Sequence, residues 1–410
     1  MTASPFAGQP AREQSWDAAL AEIINGAHVA SADDLVDIID GAMTRLGLSL
    51  QLYLVDLAQR QLNPVRPQAG PPLGVDDSLA GRAFRLVEII PADAGQPGLW
   101  VPLVDGTERL GVVRVVLPAR ADLHDTEIRE RCWVLAGLIG HLVAGKLPYS
   151  DRFHLVRRTR PMSVAAELLW QLLPPQTFAC SHLVVAAVME PYDRVGGDGY
   201  DYAVDADRAH LAVFDAVGHD VAAGLTTALA LAATRNARRA GQGLYAAAAQ
   251  ADQVIAGQAG IRFVTALLAD LDLTTGVLRY LNAGHPPPVL IRRGQMIKTL
   301  HSPVRPPLGL GHLSPTSPQV GSEQLEPGDR VLLHTDGITE ARDLRGAEFG
   351  VDRLVDLAER HHRGGLPAPE TLRRITHAVL DHQRGHLQDD ATLLLAEWAP
   401  SAPAGLLPTF

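Results

Sequence analysis

Four short acidic motifs in the second half of this 410-residue chain hold the residue types best suited to chemistry. They read VGGDGYD (195–201), FDAVGHD (214–220), HTDGITEAR (334–342) and QDDATLLL (388–395). Each places an aspartate at the end of a predicted strand or in the loop beside one. Three of them set small residues next to that aspartate, which lets backbone approach an ion. The donors on offer are carboxylate and carbonyl oxygens, without a Cys/His set. Such hard oxygens suit Mg²⁺ or Mn²⁺, not zinc. Taken singly, an aspartate before glycine at a strand end is ordinarily a turn or cap residue. Together the motifs say more, because converging carboxylates repel one another and shift their pKa values unless a cation joins them.

Other polar residues carry weaker signals. His219 reads as a packed histidine or as support for neighbouring ligands. His285, in NAGHPPP, reads as structural with a lesser chance of touching substrate. Arg194 stands directly before the VGGDGYD motif and would attract phosphate if it were not simply solvated. Glu340 is a candidate to orient its loop. His361 and His362 fall on a polar helix face and read as solvated. PLGLGH (307–312) lacks the strand-to-helix setting of a phosphate loop, and no G-x-S-x-G elbow is present.

The elements that must position the acids follow from periodicity. HLVVAAVME, AHLAVFD, RFVTALLADLD, GVLRYLNAG, PPVLIRR, RVLLHTD and ATLLLAEW all read as strands, and LDLTTGVL and IRRGQMIK carry glycine turns. Helices are predicted over 220–240, 244–258, 350–362 and 370–384. Strands in series with helices grouped between them predict an antiparallel β-sandwich covered by helices. SVAAELLWQLLPP (163–175) predicts a helix capped by Ser163 and stopped by Pro174–Pro175, with Leu168, Leu169, Leu172 and Leu173 as its apolar stripe.

The first half reads differently. ADDLVDIIDGAMTRLG predicts a helix with Ser31 as cap and Gly47 past its end, LSLQLYLVDLAQRQL (48–62) a half-buried strand, residues 98–118 a strand pair, and 124–147 a closing helix. This order gives an α+β domain. LAGRAFRLVEII (79–90) and VPLVDGTERLGVVRVV (101–116) resemble a GAF domain over residues 16–147. The resemblance implies a small-ligand pocket or a dimerising sensor module. The expected layout is a disordered tail (1–15), the GAF-like domain (16–147), a linker and coupling helix (148–175), the sandwich domain (176–400) and a tail (401–410).

Bulk composition narrows the partners. Hydrophobic residues make up 47%, charged residues 20%, and the formal net charge is −10. The charge argues against nucleic acid or an anionic membrane as main partner. The N-terminus does not read as a signal peptide, no uninterrupted apolar run reaches the roughly 20 residues of a membrane span, and the two cysteines fit a reducing cytoplasm.

The order LLPP, VGGDGYD, FDAVGHDVAAG, RFVTALLADLD, LNAGHPPPVL, PLGL, LEPGDRVLLHTDGITEAR, FGVDRL and DDATLLL resembles the SpoIIE-like bacterial branch of the metal-dependent (PPM) serine/threonine protein phosphatases, over residues 164–398. The resemblance implies an αββα sandwich with two Mn²⁺ or Mg²⁺ ions at one edge. It implies Asp198, Asp215, the Ala216 carbonyl, Asp336 and Asp389 as ligands, with Gly197, His219 and Asp390 in support; Asp201 itself reads as a loop-stabilising neighbour of Asp198. By the same resemblance, two cations about 3.5–4 Å apart activate a bridging water for in-line attack on phosphorus. The substrate implied is a small phosphorylated regulator, such as an anti-sigma-factor antagonist, with a homodimer as a possible assembly. Members of the family often read Asp-Val-Ser-Gly-His-Gly where this chain has DAVGHD, so Val217 and Asp220 are departures beside the expected bridging ligand. They keep a second reading open, a degenerate phosphatase fold that only binds its partner.

Overall fold

The computed structural model of the chain describes residues 9–92, 96–190, 196–218, 220–260, 262–313, 319–385, 387–399 and 406–408. Two compact units emerge, Met1–Thr159 with Leu406–Phe410, and Arg160–Gly405.

The N-terminal unit contains α1 (Gln9–Ala27), α2 (Ala32–Arg45), β1 (Ser49–Val55), β2 (Gln61–Pro64), β3 (Leu73–Gly74), α3 (Leu79–Leu86), β4 (Ile90–Pro91), β5 (Gly98–Asp105), β6 (Glu108–Val116), α4 (Thr126–Lys146) and α5 (Asp151–Arg157). Its antiparallel sheet runs β3-β2-β1-β6-β5-β4. Alternation decides the faces. Leu52, Leu54, Val113 and Val115 point to one side, where they pack with Leu35 and Ile39 of α2 and Leu135 and Ile139 of α4. Tyr53, Val55, Trp100 and Val112 point to the other, against Ala83 and Phe84 of α3. Ser31 caps α2 in a full capping box with Asp34. This is the α+β arrangement that the element order predicts.

Three expectations change here. Residues 48–62 form two strands, because the Asp56 carboxylate accepts from the Arg60 and Gln61 amides at 2.7 and 2.9 Å and closes a turn. Residues 148–162, expected as linker, hold α5, whose Phe153 is fully buried in this unit's core. Burying that ring is worth about 1.5–3 kcal/mol, and Leu57 N donates to Arg157 O at 3.0 Å, so α5 belongs to the unit. Thr126–Tyr149 is long and apolar enough to cross a membrane by length and composition, against the expectation from apolar runs. Within the unit its Cys132, Leu135, Ile139 and Val143 are core residues.

The C-terminal unit contains α6 (Val164–Leu172), β7 (Thr177–Cys180), β8 (Leu183–Glu190), β9 (Asp198–Val204), β10 (Arg208–Ala216), α7 (Val221–Arg239), α8 (Leu244–Ala256), β11 (Val264–Asp272), β12 (Val277–Ala283), β13 (Val289–Arg292), β14 (Gln295–Thr299), β15 (Gly321–Gln324), β16 (Asp329–His334), α9 (Asp336–Thr339), α10 (Val351–Arg363), α11 (Ala368–His382) and β17 (Ala391–Trp398). Two antiparallel sheets, β15-β12-β11-β10-β9 and β14-β13-β16-β17-β8-β7, pack face to face. Their inner rows include Leu211 and Val213 of β10, Leu267 and Ala269 of β11, Val331 and Leu333 of β16, and Leu394 and Ala396 of β17. Phe214, Leu268 and Leu281 face the other way, onto the alanine-rich α7 and α8. α11 packs on β8 and β17 of the second sheet. The layers are therefore α, β, β, α.

The strands β7, β9 and β15 escape the sequence reading, while β14 is the second arm of the glycine hairpin expected in IRRGQMIK. β9 is the instructive case: DGYDYAV carries a glycine and two acids, yet it is a strand, so VGGDGYD is not wholly a loop. The α6 stripe also shifts. Ala165, Ala166 and Leu169 pack against Ala228 of α7, while Leu168 is exposed.

Candidate metal centre

The inner rows of the sandwich are apolar until one end, where the same rows turn polar. On β10 the row Leu211, Val213 continues as Asp215. On β9 the row Tyr202, Tyr200 continues as Asp198, which is the Cα partner of Asp215. On β11 it continues as Thr265, the partner of Asp215 on the other side. The next inner positions of β16 and β17 are Thr335, Thr392 and Asp390. Strand pleating alone thus carries these groups to one end of the interior.

Close backbone contacts explain the glycines. A Cβ on Gly197 would stand 2.3 Å from Ala216 O, and one on Gly196 would stand 1.8 Å from Asp390 Oδ2. A Cβ on Gly337 would meet Asp390 O at 1.9 Å. The four motifs therefore touch one another through positions that admit no side chain. Ala216 N donates to Gly197 O at 3.1 Å, and Thr227 Oγ1 of α7 donates to the same oxygen.

The carboxylates respond to this crowding. Asp198 is raised well above the ordinary carboxyl value, first by burial and then by Asp215 and Asp390. Burial, followed by Asp336, Asp389 and Asp390, pushes Asp215 up to about 7. Asp390 is pushed up to about 7, mainly by burial. Asp336 is raised by burial, Asp389 and Glu340. Hydrogen bonds fix two of them. Thr335 Oγ1 donates to Asp198 Oδ2 at 2.8 Å, and Asp198 N donates to Asp390 Oδ2 at 3.3 Å. Asp336 opens the short α9, with Glu340 N donating to Asp336 O at 2.7 Å. A cleft of about 230 Å³ runs from Asp336 and Asp389 past Glu340 and Arg342 to Gln383 and Gln388.

The structure thus brings Asp198, Asp215, Asp336, Asp389 and Asp390 into one electrostatic cluster, beside Gly197 and Ala216. The donor chemistry fits a hard divalent cation: carboxylate oxygens from buried Asp198 and Asp390, half-buried Asp215 and Asp336 and exposed Asp389, repelling one another, with a backbone carbonyl beside them. Among the described residues, no three His, Cys, Asp or Glu side chains already stand as a metal-holding group. His219 and Arg194 lie outside the described residues. His285 is buried at the cluster's edge, its backbone bracketed by Asn282 and its Nδ1 2.9 Å from Thr265 Oγ1. Burial pushes its imidazole down to about 3, so it stays neutral.

Several readings change at this level. Asp201 is a buried strand residue on the opposite face of β9, paired with Arg235 and Arg238 of α7 at 2.7 and 2.8 Å, not a loop residue. Asp220 caps α7 by accepting from Ala223 N at 2.8 Å, which gives that departure a structural role. Val217 is 45% exposed, and its amide is held by Phe263 O. His361 and His362 are half-buried, not solvated. Thr227 and Thr335 were not among the expected residues. The signal available for Thr335 is a hydroxyl residue between a predicted strand and the TDG aspartate.

Comparison with known proteins follows the same region. Residues 205–399 match the family described as Stage II sporulation protein E (SpoIIE). A stretch of 235 residues is 25% identical to phosphoserine phosphatase RsbU of Bacillus subtilis (strain 168), covering 57% of this chain and 69% of RsbU. A stretch of 133 residues is 29% identical to protein IcfG of Synechocystis sp. (strain ATCC 27184 / PCC 6803 / Kazusa), covering 32% of this chain but only 20% of IcfG. Among solved structures, the SiaA-PP2C domain of Pseudomonas aeruginosa aligns with a TM-score of 0.49 and 26% identity, over 57% of this chain and 94% of that one.

Proposed function

The C-terminal half of this chain carries a SpoIIE PP2C-type phosphatase domain, and on that premise we propose that the protein is a metal-dependent phosphoserine/phosphothreonine protein phosphatase. The observation that carries this reading is the convergence of Asp198, Asp215, Asp336 and Asp389 at one end of the sandwich, where burial and mutual repulsion raise the carboxyl pKa values of Asp198, Asp215 and Asp336.

Asp198, Asp215, the Ala216 carbonyl, Asp336 and Asp389 would hold the metal, Mn²⁺ or Mg²⁺. When bound, a pair of such ions supplies an activated water and offsets negative charge on the phosphoryl oxygens. The chain's own groups do the positioning. Thr335 fixes one oxygen of Asp198 by donating to its Oδ2. Asp390 is tied back to the Asp198 amide, so it steadies the β9 entry from behind. The Glu340–Arg342 cleft, beginning at Asp336 and Asp389, is the natural berth for the peptide around the phosphorylated residue.

The substrate in this reading is a small phosphorylated regulatory protein of the anti-sigma-factor antagonist type, in the cytoplasm, with the N-terminal unit as a GAF-like sensor that sets the rate. The motif order supports the substrate class, and the chain's low cysteine content suits the compartment. Removing residues 1–159 should then change the rate or its Mn²⁺ dependence, and an unchanged rate would remove the sensor from this account.

Phosphate release from a phosphoserine peptide with Mn²⁺ tests the site itself. Asp215→Asn and Asp336→Asn should each lower the rate by about two orders of magnitude or more, since even indirect ligand support is worth 10–100-fold. Equal rates for both variants and the native chain would rule the site out. No activity in any of them, across candidate phosphoproteins, would favour a binding-only protein.

A further inference from the structure

On the α3 side of the N-terminal sheet lies a cleft of about 630 Å³, lined by Leu73, Leu79, Trp100 and Arg114, with Asp76 and Asp77 exposed at its mouth. Its arginines differ in what they already do. Arg85 Nε donates to Val75 O at 3.0 Å, and Arg82 Nη2 donates to Glu88 Oε2 at 3.3 Å. Arg114 has no such engagement. Its guanidinium lies 5.7 Å from the Trp100 ring centroid, and its buried Nε meets no hydrogen-bond acceptor among the described residues. Gln51, its Cα partner across β1 and β6, buries an Oε1 that meets no donor among the described residues.

A half-buried guanidinium without a counter-ion among the described residues is an unusual expense of folding free energy, because desolvated charge is normally paired. Its planar fork matches a carboxylate. Beside it, Trp100 and Leu79 offer a flat and an apolar wall. The first turn of α3 also lines the cleft, through Ser78, Leu79 and Ala80, and a helix start favours negative charge. Asp76 and Asp77 at the mouth oppose a second negative charge on the same molecule. We propose that this cleft binds a small monocarboxylate with a flat, apolar body, its carboxylate on Arg114 and its body against Trp100 and Leu79. This assignment is independent of the phosphatase reading.

Saturation-transfer NMR and calorimetric titration of the full chain with indole-3-acetate test it. Indole-3-acetate should bind, its neutral amide should bind about tenfold or more weakly, and the cation tryptamine should not bind. Arg114→Met should lose at least about tenfold in affinity while keeping its melting temperature, and Arg82→Met should bind as the native chain does. Should Arg114→Met fail to fold, the acid–amide–amine series on the native chain still decides. Equal affinity for acid and amide, undiminished affinity in folded Arg114→Met, or no binding of indole-3-acetate or benzoate at millimolar concentration would each overturn the assignment.

Discussion

Gly197 shows how little room the centre leaves at the level of single residues. Its missing side chain is what lets the Ala216 carbonyl, proposed above as a ligand, pack against the entry to β9. Gly197→Ala should force β9 and β10 apart at Asp198 and Asp215, costing about 1–3 kcal/mol. Denaturant melts would read that cost. A variant as stable as the native chain, with unchanged phosphate release, would show that the strands yield freely there. Much of the acid set was legible from motif spacing, because aspartate at a strand end has few structural uses that recur across a chain. The hydroxyls were not. Thr335 bonds to Asp198 across 137 positions, and a threonine in sequence shows nothing of a partner that folding alone supplies.

At the scale of elements, β9 is held from both faces. Its inner tyrosines reach back to the segment after α6: Tyr200 and Tyr202 hydroxyls donate to Pro174 O and Pro175 O at 3.0 and 2.7 Å. Its outer Asp201 carboxylate joins Arg235 and Arg238, and Arg235 also donates to Leu172 O at 2.7 Å. Asp201→Ala would strand two mostly buried guanidinium groups and should cost about 3 kcal/mol, read as a lowered denaturation midpoint. A loss below about 1 kcal/mol would mean that the arginines reach water instead. Periodicity found seven strands of this unit because their apolar rows are long. It missed β9 because a tyrosine–aspartate alternation with a glycine resembles a turn until both faces are known to be buried. It missed α5 because Phe153 is a lone apolar anchor in a basic stretch.

For the whole molecule, the raised carboxyls link stability to pH and to metal. Asp215 and Asp390 titrate at about 7 in the folded chain, against 3.8 for a free side chain. The native state therefore holds protons that the unfolded chain has lost, and without metal its stability should fall as pH rises from about 4 through about 7. His285 acts oppositely: held down to about 3, it withdraws stability as pH falls below 6.5. Its contribution cancels when melts with and without Mn²⁺ are compared at one pH. The gap in melting temperature should widen from about pH 5.5 to about pH 8, because the cation needs the deprotonated acids. A constant gap would separate the acids from metal binding. The polar end of the inner rows has one more consequence. Asp198 and Asp215 share the parity of the core residues before them, so a one-residue insertion within β9 or β10 would turn its aspartate outward toward α7, while a two-residue insertion would keep it facing inward. Odd and even length changes in these strands should therefore separate phosphatases from binding proteins among chains that keep every aspartate.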